Sequence, residues 1–309
     1  MSILITGNLG FLGTNLTLHL LKRDFKIIGV DRISYCSNLS ALKLMKKHKK
    51  FLFYKADIKN TKLMSKLVKN VDMVINFAAF THVDNSIKTP EIFVENNIVG
   101  FQRLLKVCAQ QNKLLIHIST DEVYGEILRG EAGEENRFNP RNVYSATKAA
   151  EECLINAYKN NYGLKSAILR PCNVFGYWQY TEKLIPKTIT LALEKKKIPV
   201  YGNGKQIREW LFCEDFNSAV ELILEKNIQE GTYNVGSRTR KENIQVVKKI
   251  LDILGKDYSL IKFVDDRPGH DRRYAINSQK IRSLGFRARF DFDAALEKTV
   301  FWYAKNRKK

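Results

Sequence analysis

The chain has 309 residues, 44% apolar and 27% charged, long enough to bury a core without disulfide or metal staples, which excludes a small stapled scaffold. No run approaches the roughly 18 to 20 unbroken apolar residues of a membrane helix, and the five scattered cysteines, Cys36, Cys108, Cys153, Cys172 and Cys213, make neither a disulfide framework nor a zinc pattern. The balance of 52 basic against 32 acidic residues, net +20, would suit a polyanion, but the lysines fall in short clusters at 46–50, 195–197 and 307–309 without interleaved aromatics, as on a solvated surface.

Taken in chain order, Met1-Ser2 leads at once into an apolar run at 3–5, leaving no room for the parts of a signal peptide; with the unpaired cysteines this predicts a reducing, cytoplasmic setting. Further short apolar runs follow at 27–30, 51–54, 73–76, 114–119 and 166–169, with helix-length segments between them. Six such runs predict an α/β fold with a parallel sheet wound on both faces. The longest helical patterns, 91–111 and 142–161, carry apolar residues beyond one face, which means burial in the core or in a dimer interface. After Arg170-Pro171 the elements shorten and turn signals such as Tyr201-Gly202-Asn203-Gly204 appear, so a domain change is expected near residue 171 without a flexible linker.

Three constellations carry chemistry. The first run ends in Gly7-Asn8-Leu9-Gly10-Phe11-Leu12-Gly13, where glycines would let the backbone approach a pyrophosphate held at a helix N-terminus. A glycine-rich turn alone is weak, but Asp31 closes the second run eighteen residues beyond Gly13, near the roughly 20-residue offset of an acid that binds the adenosine ribose. That carboxylate favours NAD over NADP, with Arg32 beside it pulling the other way. Tyr144 and Lys148 stand four apart on one helix face, either an ordinary surface pair or a phenol general base whose pKa the lysine cation, together with a positive nicotinamide ring, lowers. Finally, Ser119-Thr120-Asp121-Glu122-Val123-Tyr124-Gly125 follows the fifth run. Two acids there could cap a helix start, or could remove one proton and protonate a leaving group.

Together these motifs resemble the extended short-chain dehydrogenase/reductase superfamily, and within it the nucleoside-diphosphate-glucose 4,6-dehydratases. The similarity spans nearly the whole chain, through Asn76-Phe77-Ala78-Ala79, Thr81-His82-Val83-Asp84-Asn85-Ser86, Glu182-Lys183-Leu184-Ile185-Pro186, Arg208-Glu209-Trp210-Leu211 and Asp266-Arg267-Pro268-Gly269-His270 to Tyr274. The resemblance implies a doubly wound Rossmann domain over 1–170 with return segments near 209–237, and a smaller mixed α/β sugar-nucleotide domain over 171–309. It implies that Gly7, Gly10, Phe11, Leu12, Gly13, Asp31, Arg32, Ser34, Asp57, Ile58, Phe77, Ala78, Ala79, Thr81, Ser119, Tyr144 and Lys148 hold NAD. Tyr144 would take the 4-hydroxyl proton, Thr120 would bond the 4-oxygen, Glu122 would remove the C5 proton and Asp121 would protonate the departing 6-hydroxyl. Around the sugar nucleotide it places Ser86, Thr120, Asn173, Glu182, Lys183, Leu184, Pro199, Tyr201, Arg208, Asn243, Arg267, His270 and Tyr274. No metal is implied.

The expected activity is therefore a cytoplasmic, homodimeric, NAD-dependent dehydration of dTDP-glucose or UDP-glucose to the 4-keto-6-deoxy sugar nucleotide, as in rhamnose synthesis. Rival readings are a 4-epimerase, a UDP-glucuronate decarboxylase, or a non-catalytic nucleotide- or polyanion-binding module. Phe80, Asn85, Tyr177 and Thr181 depart from the family pattern and bear on sugar and base preference.

Overall fold

The computed structural model describes residues 1–306, so the basic cluster at 307–309 lies outside the described residues. Twelve strands are described: β1 (Ser2–Thr6), β2 (Lys26–Asp31), β3 (Phe51–Lys55), β4 (Met73–Asn76), β5 (Leu114–Ile118), β6 (Ser166–Pro171), β7 (Asn173–Phe175), β8 (Ile198–Tyr201), β9 (Ile207–Phe212), β10 (Gly231–Val235), β11 (Arg240–Glu242) and β12 (Ile261–Val264). Seven of them form one parallel sheet in the order β10-β6-β5-β4-β1-β2-β3. Helices cover both faces, so the central strands are buried on both sides and mostly apolar; every residue of β4 and β6 is buried. The six expected strands match to within two residues, and β10 adds a seventh from the second half of the chain.

Strand order reverses between β1 and β4, and the crevice at their carboxyl ends is where such sheets bind ligands. The remaining strands form a three-stranded sheet, β11-β9-β7, and a β12-β8 pair. They pack with helices Leu184–Leu193, Asn243–Leu254 and Phe292–Asn306. Among the described residues, one of four buried apolar clusters runs from Ile3 and Leu16 through Phe175 and Phe212 to Leu296, so the two regions share part of their interior.

The helix predicted over 142–161 is Val143–Tyr162, started by a capping box between Asn142 and Ser145 and stopped by Gly163 in the left-handed conformation (φ 64°). The pattern over 91–111 is interrupted: Pro90–Phe93 passes into a π-helical segment, Val94–Gly100, before Phe101–Gln110. This wider turn accompanies buried Asn97, whose side chain accepts from Phe80 N–H (2.8 Å) and donates to Phe80 C=O (3.0 Å) and Thr147 Oγ1 (2.9 Å). Hydrophobic spacing carries no signal for such a turn. Among the described residues, no helix is long and apolar enough to cross a membrane.

Candidate active site

At the end of β1 the backbone is shaped for close approach. Gly7 has φ 67°, and a Cβ there would lie 2.7 Å from Ala78 N; a Cβ on Gly13 would lie 2.3 Å from Gly7 O. Gly10 caps the helix Phe11–Lys22, whose first N–H groups face the crevice as an anion site. Asp31, 8% exposed, accepts from Leu9 N–H (3.1 Å), Ile33 N–H (2.8 Å) and Ser37 Oγ (3.1 Å), tying the glycine-rich turn to the loop after β2. Gly7, Gly10, Asp31, Arg32, Ser34, Asp57, Ile58, Phe77, Ala78, Ala79 and Thr81 line one cleft. It continues into a second lined by Phe11, Leu12, Gly13, Ser119, Thr120, Asp121, Glu122, Tyr144 and Lys148. The close-approach glycines, the helix N-terminus and the acid at the tip of β2 fit a dinucleotide. Arg32 stacks 4.3 Å over the Phe80 ring, bonds Asn96 Oδ1 (3.0 Å) and lies 3.8 Å from the Asp57 carboxylate, so the unexpected Phe80 serves as its platform.

The acidic motif follows β5 as a short 3-10 turn, Asp121–Tyr124. It is clamped from below: Glu152 accepts from Ser119 Oγ and from Arg170 Nε (3.0 Å) and Nη2 (2.6 Å), and Arg170 also reaches the Tyr124 hydroxyl. Asp121 is 3% exposed and its Oδ2 has no partner. Burial first, then the neighbouring Glu122 and Glu209 carboxylates, hold its carboxyl well above the usual range. Glu122 is half-buried, accepts from Asn142 Nδ2 (3.2 Å) and borders both the cofactor cleft and the pocket beyond it.

Tyr144 is 8% exposed on the helix Val143–Tyr162. The protein's own groups push its phenol well above ordinary tyrosine, by burial first and then the Glu122 charge, against a hydrogen bond with Thr120. The Lys148 ammonium, expected to lower it, is bonded instead to Glu151 and to His117 Nε2 (3.2 Å). His117 and Glu151 had no place in the sequence reading. The available signal was an acid three residues after the lysine on one helix, and a histidine inside an otherwise apolar strand.

Beyond Glu122 lies the third pocket, lined by Asn173, Glu182, Lys183, Leu184, Pro199, Tyr201, Arg208, Asn243, Arg267, His270 and Tyr274. The buried Oδ1 atoms of Asn173 and Asn243 have no partner. Arg208 stacks 4.2 Å over Tyr274 and donates to Asp271 C=O (2.8 Å). Asp84 joins the Tyr201 hydroxyl (2.9 Å) to Arg267 (3.2 Å), another link that sequence reading missed. His270 is brought down to about 4 by burial and then by Arg267 and Arg208. Lys183 donates to Thr81 C=O (2.9 Å), and burial lowers its pKa.

Ser86 stands apart from these residues. It is fully buried in the helix Val83–Lys88 and its hydroxyl is spent on Val83 C=O (2.7 Å), which removes it from the pocket wall. Asn85 instead bonds the Tyr35 hydroxyl (3.4 Å), which donates to Glu182 (2.9 Å) and so bridges the two sides of the cleft. Tyr177 packs against Phe212 and Trp302, and Thr181 is exposed. Among the described residues no group of three or more His, Cys, Asp or Glu side chains is placed to hold a metal.

The family described as GDP-mannose 4,6 dehydratase matches residues 4–299. Among similar proteins, the low-salt glycan biosynthesis protein Agl12 of Haloferax volcanii is 39% identical over 98% of both chains. The trifunctional UDP-glucose 4,6-dehydratase/epimerase/reductase RHM2 of Arabidopsis thaliana is 40% identical over 99% of this chain, which spans 47% of that longer protein. The structure of DesIV, a dTDP-glucose 4,6-dehydratase from Streptomyces venezuelae with NAD and TYD bound, matches with a TM-score of 0.97 at 35% identity, covering 100% of this chain and 98% of that one. A UDP-glucuronic acid 4-epimerase from Bacillus cereus shares the fold (TM-score 0.94) at 28% identity, over 99% of each chain. On the combined strength of the glycine cradle, the acidic turn and these matches, the chain belongs to the GDP-mannose 4,6 dehydratase family of extended short-chain dehydrogenases/reductases.

Proposed function

We propose that the chain is an NAD-dependent nucleoside-diphosphate-glucose 4,6-dehydratase acting on dTDP-glucose or UDP-glucose. The observation that carries this reading is the pair of carboxyls where the cofactor cleft meets the third pocket, one buried and pushed toward its protonated form, the other half-buried and bordering both. When bound, NAD would supply a hydride acceptor for the sugar C4 and, once reduced, a hydride donor for C6, so that a single cofactor would serve repeated turnovers.

This chain's residues handle the protons. Tyr144 accepts the 4-hydroxyl proton, and Thr120, bonded to Tyr144 in the protein, holds the 4-oxygen. The resulting ketone acidifies C5–H, Glu122 removes that proton, Asp121 delivers its own to the 6-hydroxyl, which leaves as water, and Glu122 gives its proton back to C5 when hydride reaches C6. Two adjacent carboxyls in unlike environments suit these opposite tasks. On the substrate side, Arg208 and Arg267 suit the diphosphate, and the unpartnered oxygens of Asn173 and Asn243 suit sugar hydroxyls. A 4-epimerase has no water to expel and no use for the acidic pair.

Purified protein given each sugar nucleotide should yield a product lighter by one water. An unchanged mass with inverted C4 would replace this reading by the epimerase. We also propose the division into a cofactor part, 1–170 with the 209–237 segments, and a sugar-nucleotide part, 171–309. A cytoplasmic homodimer completes the reading. Ile92 and Val94 in the first turns of the interrupted helix and Tyr162 at the end of the catalytic one are 50%, 43% and 66% exposed, apolar surface that a second copy would cover. Light scattering should give twice the chain mass.

A further inference from the structure

Beneath Tyr144 and Lys148 lies a buried polar column that the reaction above does not use. Glu151, one turn beyond Lys148 on the helix Val143–Tyr162, is 0% exposed; its Oε2 bonds the Lys148 ammonium and lies 3.0 Å from His117 Nε2, and its Oε1 has no partner. His117, equally buried on β5, continues through Asn76 (3.3 Å) to the Thr6 hydroxyl, which donates to Asn76 Oδ1 (2.6 Å). Burying an ion pair is costly, and an apolar group of similar volume is often at least as stabilising. A carboxylate kept directly under the base therefore points to a role in the site.

We propose that Glu151 is a positioning residue for the Tyr144 base: locked between Lys148 and His117, its carboxylate draws the lysine ammonium to the floor of the cleft and keeps the phenol protonated until positive charge enters. The inference rests on the dehydratase reading, in which Tyr144 takes the first proton.

The surroundings single out Glu151. On its own helix stand Tyr144, Lys148 and Glu152, and Glu152 is already neutralised by Arg170 from β6. The turn after β5 contributes Asp121 and Glu122, which border the cleft beside Tyr144. From β4 and β1 come only the neutral Asn76 and Thr6, and from the helix Phe101–Gln110 the Phe101 ring, 4.6 Å from His117. Burial and the Lys148 charge push His117 down, so its imidazole stays neutral and the Glu151 charge is balanced by Lys148. Glu151 is also among the charges that raise Tyr144. Its loss would both remove a negative charge and release Lys148 toward the phenol, and both effects favour ionisation.

Glu151→Gln keeps the shape and discards the charge. The acidic limb of its kcat/KM profile for dehydration should move toward acid by about one pH unit, whereas Glu151→Asp should hold it near the wild-type position. The same order should appear without turnover. With NAD bound, the ultraviolet difference titration between each protein and its Tyr144→Phe counterpart should show tyrosinate forming at lower pH in Glu151→Gln. Should Glu151→Gln not fold, Glu151→Met, which buries no unpaired polar group, carries the same expectation. A limb and a titration that stay at the wild-type pH, with only rate or melting temperature reduced, would make Glu151 a structural residue and overturn the proposal. Wild-type protein that yields no dehydrated sugar at any pH would instead overturn the dehydratase reading, and the tyrosinate titration would still decide the role of Glu151.

Discussion

Asp121→Asn is the substitution whose outcome the structure defines most closely. The carboxyl is 3% exposed, and burial together with Glu122 and Glu209 holds it well above the usual carboxylate range. At a separation of about 5 Å and an effective dielectric of about 20, two carboxylates repel by about 3 kcal/mol. Both effects favour the protonated carboxyl, whose shape and neutrality asparagine copies without a transferable proton. Because the folded pKa is raised, the stability Asp121 contributes is present below its unfolded value of 3.8 and is lost as pH rises through the folded one. Asparagine removes that loss, so the variant should melt at or above the wild-type temperature at pH 7 and show no advantage near pH 3. Catalysis should fall by about 10² to 10⁴, the scale of a lost general acid, or about 3 to 5 kcal/mol in the barrier. Product mass spectrometry and melting curves at both pH values read the two effects. Dehydration within a few-fold of wild type would remove Asp121 from the acid role, and a large loss of stability at pH 7 would refute its neutrality.

Three other outcomes follow from the geometry. Asp31→Ala deletes the acceptor of three hydrogen bonds and should weaken NAD binding about tenfold or more while costing about 1 to 3 kcal/mol of stability; fluorescence titration checks it, and tighter binding of NADP than NAD by the wild-type protein would contradict the assignment. Gly13→Ala must displace backbone, since its Cβ would sit 2.3 Å from Gly7 O, and should cost about 1 to 3 kcal/mol in melting experiments and abolish cofactor binding. His270, brought from 6.5 to about 4, contributes stability that is full above pH 6.5 and lost as pH falls toward 4, up to about 3 kcal/mol; His270→Asn should flatten that part of the stability profile.

Much of this architecture was legible from periodicity. Short β-rich runs buried on both faces announce a parallel sheet, and the glycine spacing with Asp31 marks its ligand-binding edge, because each of those residues answers a local backbone need. What stayed hidden depends on partners far away in sequence. The π-helical segment serves a contact between Asn97 and Phe80, β10 joins the sheet from sixty residues beyond β6, and Asp84 matters through Tyr201 and Arg267. The sequence reading rightly paired Tyr144 with Lys148 on one face, yet the lysine's hydrogen bonds go to Glu151 and His117. Spacing shows which side chains are neighbours but not which of two neighbours a cation prefers. The local bond of Ser86 stayed hidden for a related reason, because a hydroxyl in a short helix can be spent on its own backbone.

The claim that the acidic pair performs an elimination is tested most directly by Glu122→Gln, with Tyr144 and Lys148 left intact. An amide cannot take the C5 proton at neutral pH. On addition of the preferred nucleoside-diphosphate glucose, NADH absorbance should therefore appear and persist, while solvent deuterium at C5 and loss of water both fall by about 10² or more. Formation of a product lighter by one water at a near wild-type rate would contradict the assignment of Glu122 as the base and, with it, the mechanism.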